Sequence, residues 1–207
     1  MTFWDFIAPM YDFFEVFNRA YRRMIEKICE LIPAEYNVLE LASGTGNISI
    51  AVSKKASNVL CTDISNNMLK VAKRKAERQS IRNINFENMS IFETILRDNS
   101  FDVVIASQIL HLLDETKAKA ACDEIKRVTK NIAILNLPLI KEANSWGKFL
   151  IAIYKIFGFR SKYEFDGVSC KRFLEEIGFL NCEYYIAEGT MPLQLAVWTK
   201  NFPFTKT

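Results

Sequence analysis

The chain has 207 residues, of which half are hydrophobic and a quarter are charged. This balance favours a globular protein with one sizeable core, and a single domain over residues 1–207 is predicted. A net charge of +3 is too small to indicate a nucleic-acid-binding protein. Five cysteines without a CxxC pair and a single histidine argue against a metal site. No segment has the pattern of an export signal or membrane span, so the protein is expected to be cytoplasmic.

Short apolar runs alternate with longer helical patterns over the first two thirds of the chain. A helix from about Asp12 to Leu31 comes first. The predicted strands are Asn37–Leu41, Asn58–Thr62, Asn83–Glu87, Phe101–Ala106 and Ile132–Leu137. Helical patterns over 46–54, 66–79 and 115–129 follow the first, second and fourth strands. This alternation is typical of a mostly parallel sheet with helices on both faces.

The pattern changes after Pro138. Residues 141–165 are predicted to form one aromatic helical stretch, and Lys171–Ile177 a helix that Gly178 caps. The runs 182–187 and 193–200 are joined by a turn too short for a helix, so they should pair antiparallel. The expected fold is therefore α/β, with a Rossmann-like, seven-stranded, mostly parallel sheet whose last strand is antiparallel.

A glycine-containing turn, Glu40-Leu41-Ala42-Ser43-Gly44-Thr45-Gly46, joins the first strand to the first helix. Open parallel sheets bind ligands at the carboxyl ends of their strands, and Gly44 and Gly46 permit a tight turn and close approach of a ligand. Dinucleotide-binding proteins have Gly or Ala where this chain has Ser49, and the Glu40 carboxylate would repel a pyrophosphate. S-adenosylmethionine carries an ammonium and a sulfonium and no phosphate, so the loop favours it over a nicotinamide cofactor.

The second predicted strand leads into Asp63. An acidic residue about twenty positions after the glycines accepts hydrogen bonds from ribose hydroxyls. Both S-adenosylmethionine and nicotinamide dinucleotides contain a ribose. Asp63 therefore indicates a nucleoside-binding site without discriminating between the two cofactors.

The motifs ELASGTG, CTDIS and NSFDVVIASQILHLL resemble those of class I S-adenosylmethionine-dependent methyltransferases. Within that class the chain is similar to the small-molecule group of ubiquinone and menaquinone biosynthesis methyltransferases, which also share the IAPMYD opening and the FLEEIGF helix. The resemblance implies methyl transfer to a small, hydrophobic or aromatic acceptor. The alternative is a catalytically silent S-adenosylmethionine-binding sensor or accessory subunit.

The resemblance also implies a set of cofactor-binding residues. In it the loop around Glu40 lies beside the methionine end, Asp63 holds the ribose, and Ser107 faces the methionyl part. Ser90 stands where the family has an aspartate that accepts from the adenine amine, and a hydroxyl is a weaker acceptor. The complete set is Tyr11, Glu40, Ala42, Gly44, Gly46, Asp63, Ile64, Met68, Met89, Ser90, Ser107 and Gln108.

His111, the only histidine, lies four residues beyond Ser107. An imidazole titrates near neutral pH and could act as a general base, although methyl transfer relies mainly on alignment. The alternative is that His111 packs locally between leucines.

Two aromatic segments are expected to cover the site. Residues 1–31 are predicted to form a helical flap over the cofactor, with core packing as the alternative. Residues 141–165 are predicted to form a helical cap in which Phe149, Tyr154 and Phe157 line the acceptor pocket. Lysines on that cap suggest contact with an anionic membrane surface. The expected partner is a small molecule and not a nucleic acid, and the sequence leaves the oligomeric state open.

Overall fold

The computed structural model describes residues 19–156 and 161–200, apart from the side chain of Tyr154. Its strands are β1 (Asn37–Leu41), β2 (Asn58–Asp63), β3 (Ile84–Asn88), β4 (Phe101–Ser107), β5 (Thr129–Pro138), β6 (Glu183–Ala187) and β7 (Leu193–Thr199). Its α-helices are α1 (Arg19–Leu31), α2 (Asn47–Val52), α3 (Asn66–Arg78), α4 (Glu115–Val128), α5 (Ser145–Ile156) and α6 (Gly167–Glu176). Short 3-10 turns span Leu110–Leu112 and Ile140–Glu142.

The strands form one seven-stranded sheet in the order β3-β2-β1-β4-β5-β7-β6. Strands β1 to β5 pair in parallel, whereas β7 is antiparallel to both β5 and β6. This arrangement confirms the α/β fold with an antiparallel last strand. The strand order reverses between β1 and β4, and ligands of open α/β sheets bind in the crevice at such a point.

Alternating residues of the central strands supply the two cores of the molecule. In β4, Val103 and Ile105 pack on the face that α1, α2 and α3 cover. Val104 and Ala106 pack on the opposite face beneath α4 and α6. A central strand buried on both faces has a continuous apolar sequence, which explains why β4 could be recognised from the pattern alone.

The predicted helical stretch over residues 141–165 needs correction. Among the described residues, helix α5 covers Ser145–Ile156, and residues 161–166 are not helical. The helix begins there because the Asn144 side chain accepts a hydrogen bond from the Gly147 amide at 2.9 Å, as an N-cap does. The Lys162 amide donates to the carbonyl of His111 at 2.9 Å. This hydrogen bond holds residues 161–166 extended across the Leu110–Leu112 turn.

The start of helix α6 also differs from the sequence prediction. Helix α6 begins at Gly167, before the predicted Lys171, because Asp166 and Ser169 form a reciprocal capping box. The predicted termination holds, since Gly178 follows the helix with a φ of +100°. Of the predicted N-terminal helix, residues 19–31 are helical as α1, and residues 12–18 lie outside the described part. In the two described ranges, no helix is long and apolar enough to cross a bilayer.

Candidate functional site

A cleft opens at the carboxyl ends of β1, β2 and β4, where the strand order reverses. Its walls contain ten residues predicted to bind the cofactor: Glu40, Ala42, Gly44, Asp63, Ile64, Met68, Met89, Ser90, Ser107 and Gln108. These residues come from the carboxyl ends of three strands and from the segments that follow four different strands. The sheet thus brings the separate sequence motifs to one place.

Glu40 points its carboxylate at the first turn of α2. It is buried, and its Oε2 accepts hydrogen bonds from the Ser49 amide at 2.8 Å and the Ser49 hydroxyl at 2.5 Å. A carboxylate at a helix N-terminus is stabilised by the unpaired amides and the helix dipole. Ser49, which distinguishes this loop from the dinucleotide fingerprint, therefore fixes the orientation of Glu40.

Asp63 ties the glycine loop to the end of β2. Its Oδ2 accepts from the Gly44 amide and its Oδ1 from the Ser65 amide, each at 2.8 Å. Asn88, which the sequence analysis did not single out, donates from Nδ2 to the carbonyls of Asp63 and Ile64 at 3.0 and 2.8 Å. These contacts fix the orientation of the Asp63 side chain beside the glycine loop.

Three residues at the strand ends have left-handed backbones and line the cleft. Gly44 has a φ of +55°, and the non-glycine residues Ala42 and Gln108 have φ values of +54° and +53°. Such conformations are disfavoured for residues with a Cβ and concentrate at ligand sites. The backbone of Ala42 and Gln108 is therefore strained beside the cleft.

Gly46 has a different role from the one predicted. It does not lie on the wall of the cleft, and its φ is +72°. A Cβ at this position would lie 2.8 Å from the Cβ of Ala72 on α3. Gly46 is thus required for the contact between the loop and α3, and the expected close approach of a ligand is assigned to Gly44 instead.

The rest of the cleft wall was not predicted from the sequence. It consists of Tyr21, Ser43, Ile48, Ile91, Phe92, Ile109, Leu112 and Leu113. Most of these residues are apolar and lie in loops or turns, where no hydrophobic period marks them. Position after a strand end is the one signal that could have found Ile91, Phe92 and Ile109.

The electrostatic character of the cleft is acidic. Among the described residues on its wall, Glu40 and Asp63 are charged, and none is lysine or arginine. A described wall with two carboxylates and no basic side chain favours a cationic ligand and disfavours a phosphate. The apolar residues on either side suit an aromatic or aliphatic group.

His111 does not belong to the cleft wall. It is buried, and desolvation lowers the pKa of its imidazole to about 3. A base with such a pKa is poorly matched to proton transfer near neutral pH. The structure therefore corrects the proposed general base and favours local packing of His111.

The predicted acceptor-pocket residues fall outside this wall or outside the described part. Phe149 is 52% exposed, stacks on Trp146 with ring centroids 5.2 Å apart, and does not line the cleft. Tyr11 and Phe157 lie outside the described residues, as does the side chain of Tyr154. Phe149 therefore does not belong to the described wall of the cleft, and its contact with an acceptor stays a prediction.

Comparisons with known proteins agree with this geometry. Residues 38–131 match a family described as "Methyltransferase domain". The demethylmenaquinone methyltransferase of Leptospira interrogans is 31% identical over 159 residues, which cover 72% of this chain and 63% of that protein. The ubiquinone/menaquinone biosynthesis C-methyltransferase of Zymomonas mobilis is 35% identical over 98 residues, covering 47% and 39%. The chain thus spans less than two thirds of the length of either relative.

A solved structure confirms the fold. Magnesium protoporphyrin IX methyltransferase from Synechocystis PCC 6803, crystallised with bound SAH, superposes with a TM-score of 0.64 at 18% identity. The superposition covers 87% of this chain and 84% of that one. At this identity the likeness concerns the arrangement of strands and helices.

Proposed function

Because the chain belongs to the class I S-adenosylmethionine-dependent methyltransferases, we propose that it transfers a methyl group from S-adenosylmethionine to a small, apolar or aromatic acceptor. The observation that carries the proposal is the charge of the cleft. Its described wall holds two carboxylates and no basic side chain. A cationic cofactor without phosphates fits that wall, whereas the pyrophosphate of a nicotinamide dinucleotide would face the Glu40 carboxylate.

Each part of the wall has a proposed task. Glu40 and the loop at Gly44 would hold the methionine end, with Ala42, Ser107 and Gln108 beside it. Asp63 would accept from the ribose hydroxyls, held in place by its bonds to the Gly44 and Ser65 amides. The adenine would lie against the apolar side chains of Ile64, Met68 and Met89. Ser90 would lie near the adenine amine. S-adenosylmethionine, when bound, supplies a methyl group on a sulfonium that is open to attack by a nucleophile.

The acceptor is proposed to be apolar because the remaining wall is apolar. Ile109, Leu112 and Leu113 line the cleft beyond Gln108. Such side chains exclude water and orient the acceptor by shape, and proximity supplies much of the rate in a transfer of this kind. The Leptospira relative is named for demethylmenaquinone, which is an aromatic, lipid-soluble acceptor.

Helix α5 supports the further proposal that the acceptor is reached at a membrane surface. It follows the carboxyl end of β5 and would form the cap over the acceptor, as residues 1–31 would form the flap. Trp146, Lys148, Phe149 and Lys155 are all exposed on it, and Lys155 forms an ion pair with Glu164 at 2.9 Å. Exposed aromatic residues with nearby lysines favour contact with an anionic lipid surface.

The test is methyl transfer with labelled cofactor. The protein is incubated with methyl-labelled S-adenosylmethionine and either an organic-solvent extract of cells or an aqueous extract of the same cells. We expect enzyme-dependent label in a small molecule of the organic extract. Binding of the cofactor without any label transfer would instead support the silent sensor or accessory subunit, and transfer only to the aqueous extract would contradict an apolar acceptor.

A further inference from the structure

Two buried polar residues outside the cleft, Asn136 on β5 and Glu124 on α4, are hydrogen-bonded to segments that carry cleft residues. Neither residue lines the cleft, and neither was expected to have a role from the sequence. Asn136 is bonded to the end of β4, and Glu124 is bonded to the loop after β3.

Asn136 connects three strands below the β4 end of the cleft. Its carbonyl accepts from the Gln108 amide at 2.8 Å, and its Oδ1 accepts from the Ser107 hydroxyl at 3.2 Å. Its Nδ2 donates to the carbonyl of Gln194 on β7 at 3.4 Å. Gln108 has a φ of +53°, and a strained backbone of that kind persists when the surrounding contacts determine it. Asn136 therefore fixes the turn that carries Ser107 and Gln108.

Glu124 anchors the loop after β3 from the opposite face of the sheet. Its Oε1 accepts from the amide and hydroxyl of Thr94 at 2.7 and 2.5 Å. Arg127 donates to both carboxylate oxygens at 2.7 and 2.8 Å and to the Leu96 carbonyl at 2.9 Å. Thr94 follows Phe92 by two residues, and Phe92 lies on the cleft wall.

This anchor is ionic under ordinary conditions. The hydrogen bonds from Arg127, with a contribution from Thr94, lower the pKa of the Glu124 carboxyl to about 2 against the opposing effect of burial. The carboxylate therefore remains charged near neutral pH. A charge-assisted, bidentate pair is stronger and more directional than a neutral hydrogen bond.

We propose that Asn136 and Glu124 are positioning residues that fix the two ends of the cofactor cleft independently. Asn136 sets the methionine end through Ser107 and Gln108, and Glu124 sets the adenine end through the loop that carries Ser90 and Phe92. The inference rests on the proposed function, because the two ends are named for the two halves of S-adenosylmethionine.

The experiment compares two probes, S-adenosylhomocysteine and adenosine, by calorimetric or ligand-observed NMR titration of the full chain. Adenosine occupies only the nucleoside half, so it reports on the adenine end alone. For Asn136→Leu we expect a rise of about tenfold in the Kd of S-adenosylhomocysteine, the loss that one weakened polar contact produces, with adenosine unchanged. For Glu124→Gln we expect both Kd values to rise by the same factor, and Glu124→Ala should enlarge that rise.

Two further variants serve as controls. Asp98→Asn removes the exposed partner of Arg127 and leaves Glu124 in place, so both Kd values should stay within twofold of the wild type. Asn136→Asp keeps an acceptor for the Ser107 hydroxyl and should retain more affinity for S-adenosylhomocysteine than Asn136→Leu. Thermal unfolding of every variant is measured first, and the titrations are run at a temperature at which all variants are folded.

Different results would contradict the positioning roles and the proposed function. Equal losses for both probes in Asn136→Leu, or an unchanged adenosine Kd in both Glu124 variants, would overturn the independent positioning of the two ends. A wild-type protein that binds neither probe would refute the proposed function itself. A purely structural role of Asn136 would lower thermal stability without separating the two probes, and a purely structural role of Glu124 would lower thermal stability with both Kd values unchanged.

Discussion

Gly46→Ala tests whether the second glycine of the loop has a packing role. At a φ of +72° an added Cβ costs about 1–2 kcal/mol in backbone strain. The new Cβ would also lie 2.8 Å from the Cβ of Ala72, which is fixed to the backbone of α3 and cannot rotate away. Overpacking of this kind costs about 1–3 kcal/mol. The two contributions together predict a loss of roughly 2–5 kcal/mol in the free energy of unfolding.

Urea unfolding of a double-mutant cycle separates the two contributions. Ala72→Gly alone should destabilise by about 1 kcal/mol, because glycine is unfavourable in a helix interior. In the Gly46→Ala background the same change removes the overlap, so the cycle should give a favourable coupling of about 1–3 kcal/mol. The backbone strain should remain in the double variant.

The structural assignment of Gly46 also predicts a result for binding. Under conditions where Gly46→Ala is folded, its Kd for S-adenosylhomocysteine should stay within about twofold of the wild type, because Gly46 does not line the cleft. Destabilisation below 1 kcal/mol, or a cycle without coupling, would refute the packing argument. A large loss of affinity with little loss of stability would return Gly46 to the ligand site.

Three further predictions concern other residues. Burial keeps His111 neutral in the folded chain, whereas the unfolded chain takes up a proton below pH 6.5. The contribution of His111 to the free energy of unfolding is therefore constant above pH 6.5 and falls by about 1.4 kcal/mol per pH unit below it. His111→Leu should lack that slope in urea unfolding between pH 7.5 and 5, and an unchanged slope would exclude His111 as its source. Ser90→Asp should tighten binding of S-adenosylmethionine in calorimetry, and unchanged affinity would show that the adenine amine is already satisfied. Asp63→Asn should weaken the same binding by about 1–3 kcal/mol, and equal affinity would contradict the ribose contact.

The fold was predictable because its central strands are buried on both faces. Runs such as NVLEL and FDVVIA have the continuous apolar character of parallel strands, and β1 and β4 lie where these runs predict. The residues that follow strand ends could be assigned to one site for the same reason, since parallel strands bring their carboxyl ends to a common edge.

The helical pattern after β5 was predicted too long because apolar spacing does not mark where a helix ends. The pattern continues to Phe165, which is buried and lies outside any helix. It packs against Tyr163 and Phe173, with ring centroids 5.6 and 5.0 Å away. An extended segment whose aromatic residues pack in the core thus has apolar spacing similar to that of a helix.

The supporting residues of the site could not be predicted from local sequence. Asn88, Asn136 and Glu124 each bond to a segment distant in the chain, and their roles depend on strand register and on helix placement. Gly46 was assigned to cofactor binding from the glycine motif of its loop, and His111 was proposed as a general base because it lies four residues beyond Ser107. Sequence proximity does not tell which side of a loop a residue faces.

The central claim is that the acidic cleft binds S-adenosylmethionine. Calorimetric titration of the wild-type chain with S-adenosylhomocysteine and, separately, with NAD tests it most directly. We predict one saturable site for S-adenosylhomocysteine and no saturable binding of NAD, because the Glu40 carboxylate repels a pyrophosphate. Saturable binding of NAD without binding of S-adenosylhomocysteine would contradict it.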